Sequence, residues 1–151
     1  MTVHARSELA RGAAAARRLR ERAGRFLRAL ERSDAELSIL LVGDATMRRL
    51  NQRWRGQDRP TDVLSFPAAG ASGPLLGDVV ISLDTAGRVA RRLGRPASRE
   101  LDRYLAHGLL HLLGHDHARP AQAARMARAE DALVGEGMVG AARRAVPGGR
   151  R

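Results

Sequence analysis

Four of the five histidines in this chain lie in one short stretch, residues 107 to 117, which reads HGLLHLLGHDH. His107 and His111 are four residues apart, so on a helix they stand one turn apart on the same face, as two ligands of one metal ion must. Gly114 permits the left-handed backbone that ends a helix, and the chain can then return His117 to the same point. Two histidines at this spacing are common in ordinary helices, but the third histidine and the glycine together predict a metal site.

A metal site of this kind suits hydrolysis. Three neutral histidines leave a fourth position for water, which is typical of catalytic rather than structural zinc. Such a metal lowers the pKa of its water towards ~7 and stabilises a developing oxyanion. The spacing is also that of the zinc protease motif HExxHxxGxxH, but Gly108 stands where that motif has its glutamate general base. We therefore expect a reaction other than peptide hydrolysis, and we expect Gly108 to leave room beside the metal for a bulkier substrate.

Two further residues of the stretch have more than one interpretation. His115 is an additional proton shuttle, a fourth ligand that closes the site, or an aromatic residue of the wall. Asp116 either orients the imidazole of a ligand or stabilises the turn next to Gly114. The spacing alone does not choose between these roles.

Arginine supplies all 27 basic side chains, against 16 acidic ones, which leaves a formal net charge of +11. The guanidinium group matches the geometry of phosphate, so the charge favours a polyanionic partner, above all nucleic acid. The alternative is a basic surface without a specific partner. The length of 151 residues fits one domain. The absence of cysteine excludes disulfides and fits a reducing interior, and no apolar run reaches the ~20 residues of a membrane span, so we expect a cytoplasmic protein.

Hydrophobic periodicity predicts both helices and strands in the rest of the chain. We expect helices over residues 8–31, from 44 to Leu50, over 84–93, from a Ser98 cap to Gly114 and over 120–135. We expect strands over residues 36–42, 62–67 and 77–83, with a turn-prone segment over 51–60 and a loop over 68–74. The first helix should turn its arginines outward. The tail, residues 139–151, has too little apolar content to fold and should be disordered.

The histidine stretch closely resembles the HGxLHLxGYDH signature of the YbeY family, the metal-dependent endoribonucleases of bacterial ribosomal RNA maturation. Three further stretches agree with the family in order and spacing, namely ELSILLVGD, LNQRWRGQDRPTDVLSFP and LLGDVVIS. The match covers about residues 36 to 134, within a predicted domain of residues 1–138. It does not establish a first strand around Thr2 to Arg6, and His115 replaces the signature tyrosine, which favours its interpretation as an aromatic residue of the wall.

The resemblance implies a zincin-like α+β fold, in which a small mixed sheet packs against helices that include a central metal-binding helix. It implies one Zn²⁺ held by His107, His111 and His117 with a water, and a catalytic role for His107 and Arg55. Arg55 would bind the RNA phosphate, although from the residues alone a loop salt bridge with Asp58 or Asp62 is the alternative. The implied substrate is single-stranded RNA at the 3′ end of small-subunit ribosomal RNA. The implied partners are the small ribosomal subunit and an Era-type GTPase.

Two other functions remain open from the residues. One is a ribosome assembly factor without catalysis, in which His115 completes a structural zinc site. The other is a metalloprotease whose general base comes from outside the motif. Glu100, two turns before His107, is the candidate for that base.

Overall fold

The computed structural model describes residues 1–69 and 73–136. Its four strands are β1 (Thr2–Ser7), β2 (Glu36–Val42), β3 (Val63–Pro67) and β4 (Leu75–Ser82). They form one mixed sheet in the order β1-β2-β4-β3, in which β3 alone runs antiparallel to its neighbour. The helices are α1 (Ala13–Ala29), α2 (Asp44–Arg55), α3 (Leu83–Leu93), α4 (Ala97–Leu112) and α5 (Pro120–Glu136), and a short 3₁₀ turn (Ala10–Gly12) precedes α1. The predicted α+β architecture is confirmed.

Helices cover both faces of the sheet because its central strands are apolar on both sides. Most buried side chains of β2 and β4 belong to a large core that they share with α1 and α4. On the other face Val80 of β4 and Leu64 of β3 pack with Met47 of α2 in a smaller core. Successive residues of a strand point to opposite faces, so Ser65 faces α4 and donates a 2.9 Å hydrogen bond to the carbonyl of Gly108. The edge strand β3 therefore runs between α2 and α4.

Helix α4, which carries His107 and His111, is the most deeply buried of the described helices. Leu105 and Leu109 are fully buried in the large core. On the side towards α1, the buried Asp102 accepts hydrogen bonds of 2.8 and 2.7 Å from Arg18, and Nε of Arg22 lies 3.4 Å from it. Arg22 is only 6% exposed, so the expectation that α1 turns its arginines outward is wrong at this position. The buried charge of Asp102 requires these partners.

Two predicted helix starts are wrong. The helix predicted from residue 8 begins at Ala13, since Ser7 forms a local turn by donating to the carbonyl of Leu9 and accepting from its N–H. The metal helix begins at Ala97, with Pro96 at its N-cap in place of Ser98. Proline suits a helix start because its missing N–H would have no partner there.

Helix α2 is longer than predicted and carries Arg55 at its last position. It ends at Gly56, whose φ of 70° is left-handed. The buried Asn51 donates a 2.8 Å hydrogen bond to the carbonyl of Arg59, which holds the following loop against the helix. The predicted turn over residues 51–60 is therefore helical in its first half, and Arg55 belongs to a regular element rather than to a loop.

The other predicted elements form within two residues of their expected bounds, and β2 forms over the predicted residues. A first strand also forms and pairs in parallel with β2. Residues 70–72 of the predicted loop and the predicted tail, residues 139–151, lie outside the described residues. Within the described part of the chain, no helix combines the length and the apolar character needed to cross a bilayer.

Candidate metal centre and cleft

Three histidines meet at the end of α4. The ring centroids of His107 and His111 lie 4.8 Å apart, as their spacing on one helix face predicts. The helix stops after Leu112, and Gly114 adopts a φ of 99°, which turns the chain back. The ring of His117 then lies 5.6 Å from that of His107 and 4.9 Å from that of His111. One nitrogen of each ring lies within 4.8 Å of the others, so the three rings form a group that could hold a metal ion.

The surroundings of His111 favour its neutral form, which is the form that binds a metal. Burial lowers the pKa of the His111 imidazole, and the neighbouring His107 and His117 lower it further. The ring is therefore neutral at pH 7, with a lone pair free to bind a metal. Imidazole nitrogens are donors that zinc and similar divalent ions accept. The residues present fit a metal ion.

Glu130 of α5 contacts His107, one residue of the triad. Its Oε2 lies 2.9 Å from Nδ1 of His107, and its Oε1 accepts a 3.0 Å hydrogen bond from Arg103. Arg103 also donates to Asp131 at 2.9 Å. Because a carboxylate only accepts, the proton of His107 lies on Nδ1 and Nε2 is the ring nitrogen that can bind a metal.

Sequence reasoning missed Glu130. It lies 23 residues from His107 in the chain, and no local spacing connects the two. Its nearest signal is the acidic pair Glu130 and Asp131 within α5. Tyr104 was missed as well, and it is a buried residue that lines the cleft one turn before His107.

His115 and Asp116 lie on the turn that follows α4. The backbone N–H of His115 donates to the carbonyl of Leu110 at 3.0 Å, which completes the end of the helix. Among the described residues the group that could hold a metal consists of His107, His111 and His117, without His115. Oδ1 of Asp116 accepts a 2.7 Å hydrogen bond from the N–H of His117 and lies 3.6 Å from its Nδ1. The N–H of His117 holds the pKa of Asp116 below its usual range. Asp116 thus stabilises the turn and also lies beside a ligand ring.

The histidines open onto a cleft of about 550 Å³. The residues that line it come from α2, the loop before β3, β3 itself, α4 and the turn after α4: Arg55, Thr61, Asp62, Val63, Leu64, Ser65, Pro67, Tyr104, His107, His111 and His117. A volume of this size accommodates a nucleotide-sized group.

Arg55 is the cationic residue of this lining. Its side chain is exposed, and within residues 1–69 and 73–136 it makes no hydrogen bond or ion pair. The salt bridges considered from the sequence do not form, because Asp58 pairs with Arg48 at 2.6 Å and Asp62 accepts the N–H of Val63 at 2.8 Å. The guanidinium is thus available to a ligand in the cleft.

Gly108 does not open the cleft, which corrects the expectation from the sequence. A Cβ at this position would lie 2.7 Å from Val79 and about as close to side chains of β3, at 3.1 Å from Ser65 and 3.2 Å from Val63. The glycine therefore lets α4 approach the sheet closely. Glu100, the candidate base for a protease, is only 1% exposed, forms a 2.7 Å hydrogen bond with Arg95 and is not among the residues that line the cleft. The burial of Glu100 and its absence from the cleft weigh against peptide hydrolysis.

Comparison with known proteins agrees with this geometry. The family model Endoribonuclease YbeY matches residues 6–136. The Endoribonuclease YbeY of Anaeromyxobacter sp. (strain Fw109-5) is 65% identical over 147 residues, which make up 95% of this chain and 77% of that protein. The Endoribonuclease YbeY of Anaeromyxobacter dehalogenans (strain 2CP-C) is 62% identical over 147 residues, 95% of this chain and 76% of that protein.

A solved structure shares the fold. The solution structure of a Thermotoga maritima protein matches with a TM-score of 0.61 at 26% identity, and the match covers 99% of each chain. The mixed four-stranded sheet and the histidine triad at the end of α4 fit the family that the relatives name. This chain belongs to the YbeY family of endoribonucleases and has its zincin-like α+β fold.

Proposed function

We propose that this protein is a zinc-dependent endoribonuclease that cleaves single-stranded RNA. The observation that carries the proposal is that the triad His107, His111 and His117 and the unpaired Arg55 line the same cleft. A phosphodiester in the cleft would meet a bidentate cation on one side and the metal centre on the other. Both groups favour an anionic substrate and the further charge that develops during cleavage.

Different residues would bind the metal, orient a ligand and bind the phosphate. His107, His111 and His117 hold the ion, and Glu130 keeps His107 in the tautomer that presents Nε2. When bound, zinc supplies a Lewis acid that acidifies water and stabilises negative charge. Arg55 binds a phosphate oxygen and positions the scissile bond. The net charge of +11 attracts the RNA backbone without regard to sequence.

The decisive experiment compares two histidine variants. In the presence of zinc, the wild-type protein and His4→Ala should cut a labelled single-stranded RNA, whereas His111→Ala should be inactive but folded. His4 is the matched control because it lies in β1 and approaches Glu36 at 3.6 Å, outside the triad. End-group analysis of the products separates attack by water from attack by the RNA 2′-hydroxyl, which leaves a cyclic phosphate. If His111→Ala cleaved the RNA at the wild-type rate in the presence of a chelator, the proposal would be wrong.

We further propose that the RNA is the 3′ end of small-subunit ribosomal RNA, in the cytoplasm, with the small ribosomal subunit and an Era-type GTPase as partners. The same activity would serve ribosome quality control. The family resemblance supports this role. Depletion of the protein should lead to small-subunit RNA that is extended at its 3′ end, and wild type but not His111→Ala should restore the mature end.

A structural zinc in a non-catalytic assembly factor is the alternative. It requires a fourth protein ligand, and His115 is the candidate. The described metal group lacks His115, which favours the open, catalytic site. X-ray absorption at the zinc edge of the loaded protein distinguishes the two, since the alternative predicts four protein nitrogens and the proposal predicts three.

A further inference from the structure

Trp54 is the only tryptophan of the chain, and it is 59% exposed. A single exposed apolar residue needs no explanation, but this one is part of a cluster. Its ring centroid lies 5.8 Å from that of Phe66, with the two planes at 72°. The guanidinium carbon of Arg53 lies 5.2 Å from the indole centroid. We call Trp54 and Phe66 the aromatic platform.

The aromatic platform lies next in sequence to residues that line the cleft, although neither of its two rings belongs to that lining. Trp54 directly precedes Arg55 in the last turn of α2, and Arg55 lines the cleft. Phe66 lies in β3 between Ser65 and Pro67, both of which line the cleft, and its side chain packs on the opposite face of the sheet from Ser65, towards α2. Because β3 is the edge strand of the sheet, a ligand that left the cleft across this edge would pass towards the indole.

The charges around the indole suit a nucleotide. Arg53, like Arg55, makes no side-chain hydrogen bond or ion pair within the part of the chain that the structure describes, apart from its contact with the ring. By contrast, Arg48 on the same helix is held by Asp58 at 2.6 Å. An exposed aromatic ring beside two arginines without ion pairs matches the two parts of a nucleotide, since the ring can stack on a base and a guanidinium can bind a phosphate.

We propose that the aromatic platform binds a base of single-stranded RNA by stacking on Trp54, next to the phosphate held by Arg55. The inference rests on the proposed function, because it requires RNA in the cleft. Stacking on an aromatic ring accepts any base, so the platform selects for unpaired bases rather than for a sequence. Duplex RNA cannot use it, since its bases are already stacked on each other. The platform thus gives a physical basis for single-strand specificity.

The wild-type protein reports on the platform directly, because all tryptophan emission comes from Trp54. The chelated protein, which does not cut, is titrated with an end-labelled single-stranded oligoribonucleotide, with its duplex and with polyphosphate. We expect the single strand to quench the emission, and the duplex and polyphosphate to leave it unchanged. Binding of the single strand, seen by anisotropy of its label, without any quenching would overturn the inference. So would equal quenching by the duplex.

Substitution gives the second measurement. Trp54→Ala should weaken binding of the single strand about 5- to 150-fold, the range for loss of one stacked base, and leave the salt dependence of binding unchanged. Trp54→Phe should keep most of the affinity. Leu93→Ala is the control, because Leu93 is 53% exposed at the end of α3. Affinity of Trp54→Ala within about twofold of wild type contradicts the proposal.

These outcomes separate the two proposals. Zinc-dependent cleavage by wild type without quenching, and with full affinity in Trp54→Ala, removes the platform and leaves the endoribonuclease. Quenching by single strands without cleavage removes the catalytic proposal and leaves the platform. Circular dichroism and zinc stoichiometry establish that Trp54→Ala is folded. If it does not fold, the quenching of the wild-type protein decides alone.

Discussion

Nδ1 of His107 lies 2.9 Å from Oε2 of Glu130, which links the metal helix to α5 at the metal centre itself. Glu130 is only 5% exposed, and Arg103 holds its other oxygen at 3.0 Å. A buried carboxylate fixed in this way orients the imidazole of His107. Helix α5 therefore contributes to the site although none of its described residues belongs to the histidine triad.

Glu130→Gln should lower the affinity for zinc about 10- to 100-fold, the usual cost of losing a carboxylate behind a histidine ligand. The amide removes the negative charge and keeps the side-chain volume. Competition with a chromogenic chelator measures the affinity without RNA, so the result does not depend on activity.

Asp131→Asn is the matched control for Glu130. Asp131 accepts a 2.9 Å hydrogen bond from the same nitrogen of Arg103 but touches none of the triad histidines among the described contacts. Its zinc affinity should stay close to that of wild type. Equal losses in both variants would mean that Arg103, rather than the contact with His107, carries the effect.

Arg55→Ala should reduce RNA cleavage by about 10²-fold or more without changing the fold, because under the proposed function the guanidinium would contact substrate charge, and it contacts no described protein group. Arg55→Lys should recover only part of the rate, since an ammonium is a point charge without the bidentate fork. Initial rates and thermal melting of the same preparations measure both effects. Arg48 lies on the same helix as Arg55 and forms an exposed ion pair with Asp58. The variant Arg48→Ala should therefore cleave at nearly the wild-type rate.

The sequence predicts the parts of the site that local spacing encodes. The 3.6-residue period of a helix sets His107 and His111 together, and the left-handed Gly114 accounts for the return of His117. The apolar run of residues 36–42 predicts a buried strand, because a strand covered on both faces is apolar along its length. The structure confirms this for β2, which has alternate buried residues followed by two buried residues at its end. Arg55 is predicted as a cleft residue only through the family resemblance.

Features that depend on packing between distant elements escaped prediction. The contact of Glu130 with His107 depends on how α5 lies on α4, which no local pattern specifies. The role of Gly108 follows from the close approach of α4 to Val79 and Ser65. Helix α2 continues through a polar segment because Asn51 is buried against the loop that follows and Gly56 ends the helix. In each case tertiary contacts override a weak local preference.

Gly108→Ala should destabilise the protein by about 1–3 kcal/mol, the usual cost of forcing a methyl group into a packed core. The added Cβ would meet Val79 at 2.7 Å, and neither the helix nor the strand can move without disturbing its other contacts. Urea denaturation in the presence of a chelator measures the free energy of unfolding apart from metal binding.

Gly87→Ala is the control for the same substitution. Gly87 lies in α3, and its Cβ would meet only the flexible end of Arg91, at 3.6 Å. The variant should be more stable than wild type by about 0.5–1 kcal/mol, since alanine restricts the unfolded chain and favours the helix. A Gly108→Ala protein as stable as wild type would mean that α4 does not pack against the sheet as closely as described.

Asp84→Asn should change the pH dependence of stability. Oδ2 of Asp84 accepts a 2.9 Å hydrogen bond from the N–H of Asp44 at the start of α2, and the carboxylate also pairs with Arg11. The N–H of Asp44, followed by Arg11 and Arg88, holds the pKa of Asp84 below its usual range. The folded state therefore favours the charged form. This stabilisation is complete above the unfolded pKa of about 3.9 and is lost as the pH falls through the lower folded pKa.

Thermal melting of wild type and Asp84→Asn from pH 7 to pH 3, with a chelator present, tests this. The variant should melt at a lower temperature than wild type at pH 7, and the difference should shrink as the pH falls below about 4. Asp34→Asn is the control, because Asp34 is exposed and lies 3.6 Å from Arg32, so its removal should have little effect at any pH. A difference between wild type and Asp84→Asn that stays constant down to pH 3 would show that the side chain acts through its shape. In that case its charge would not hold the start of α2, the helix that carries Arg55 to the cleft.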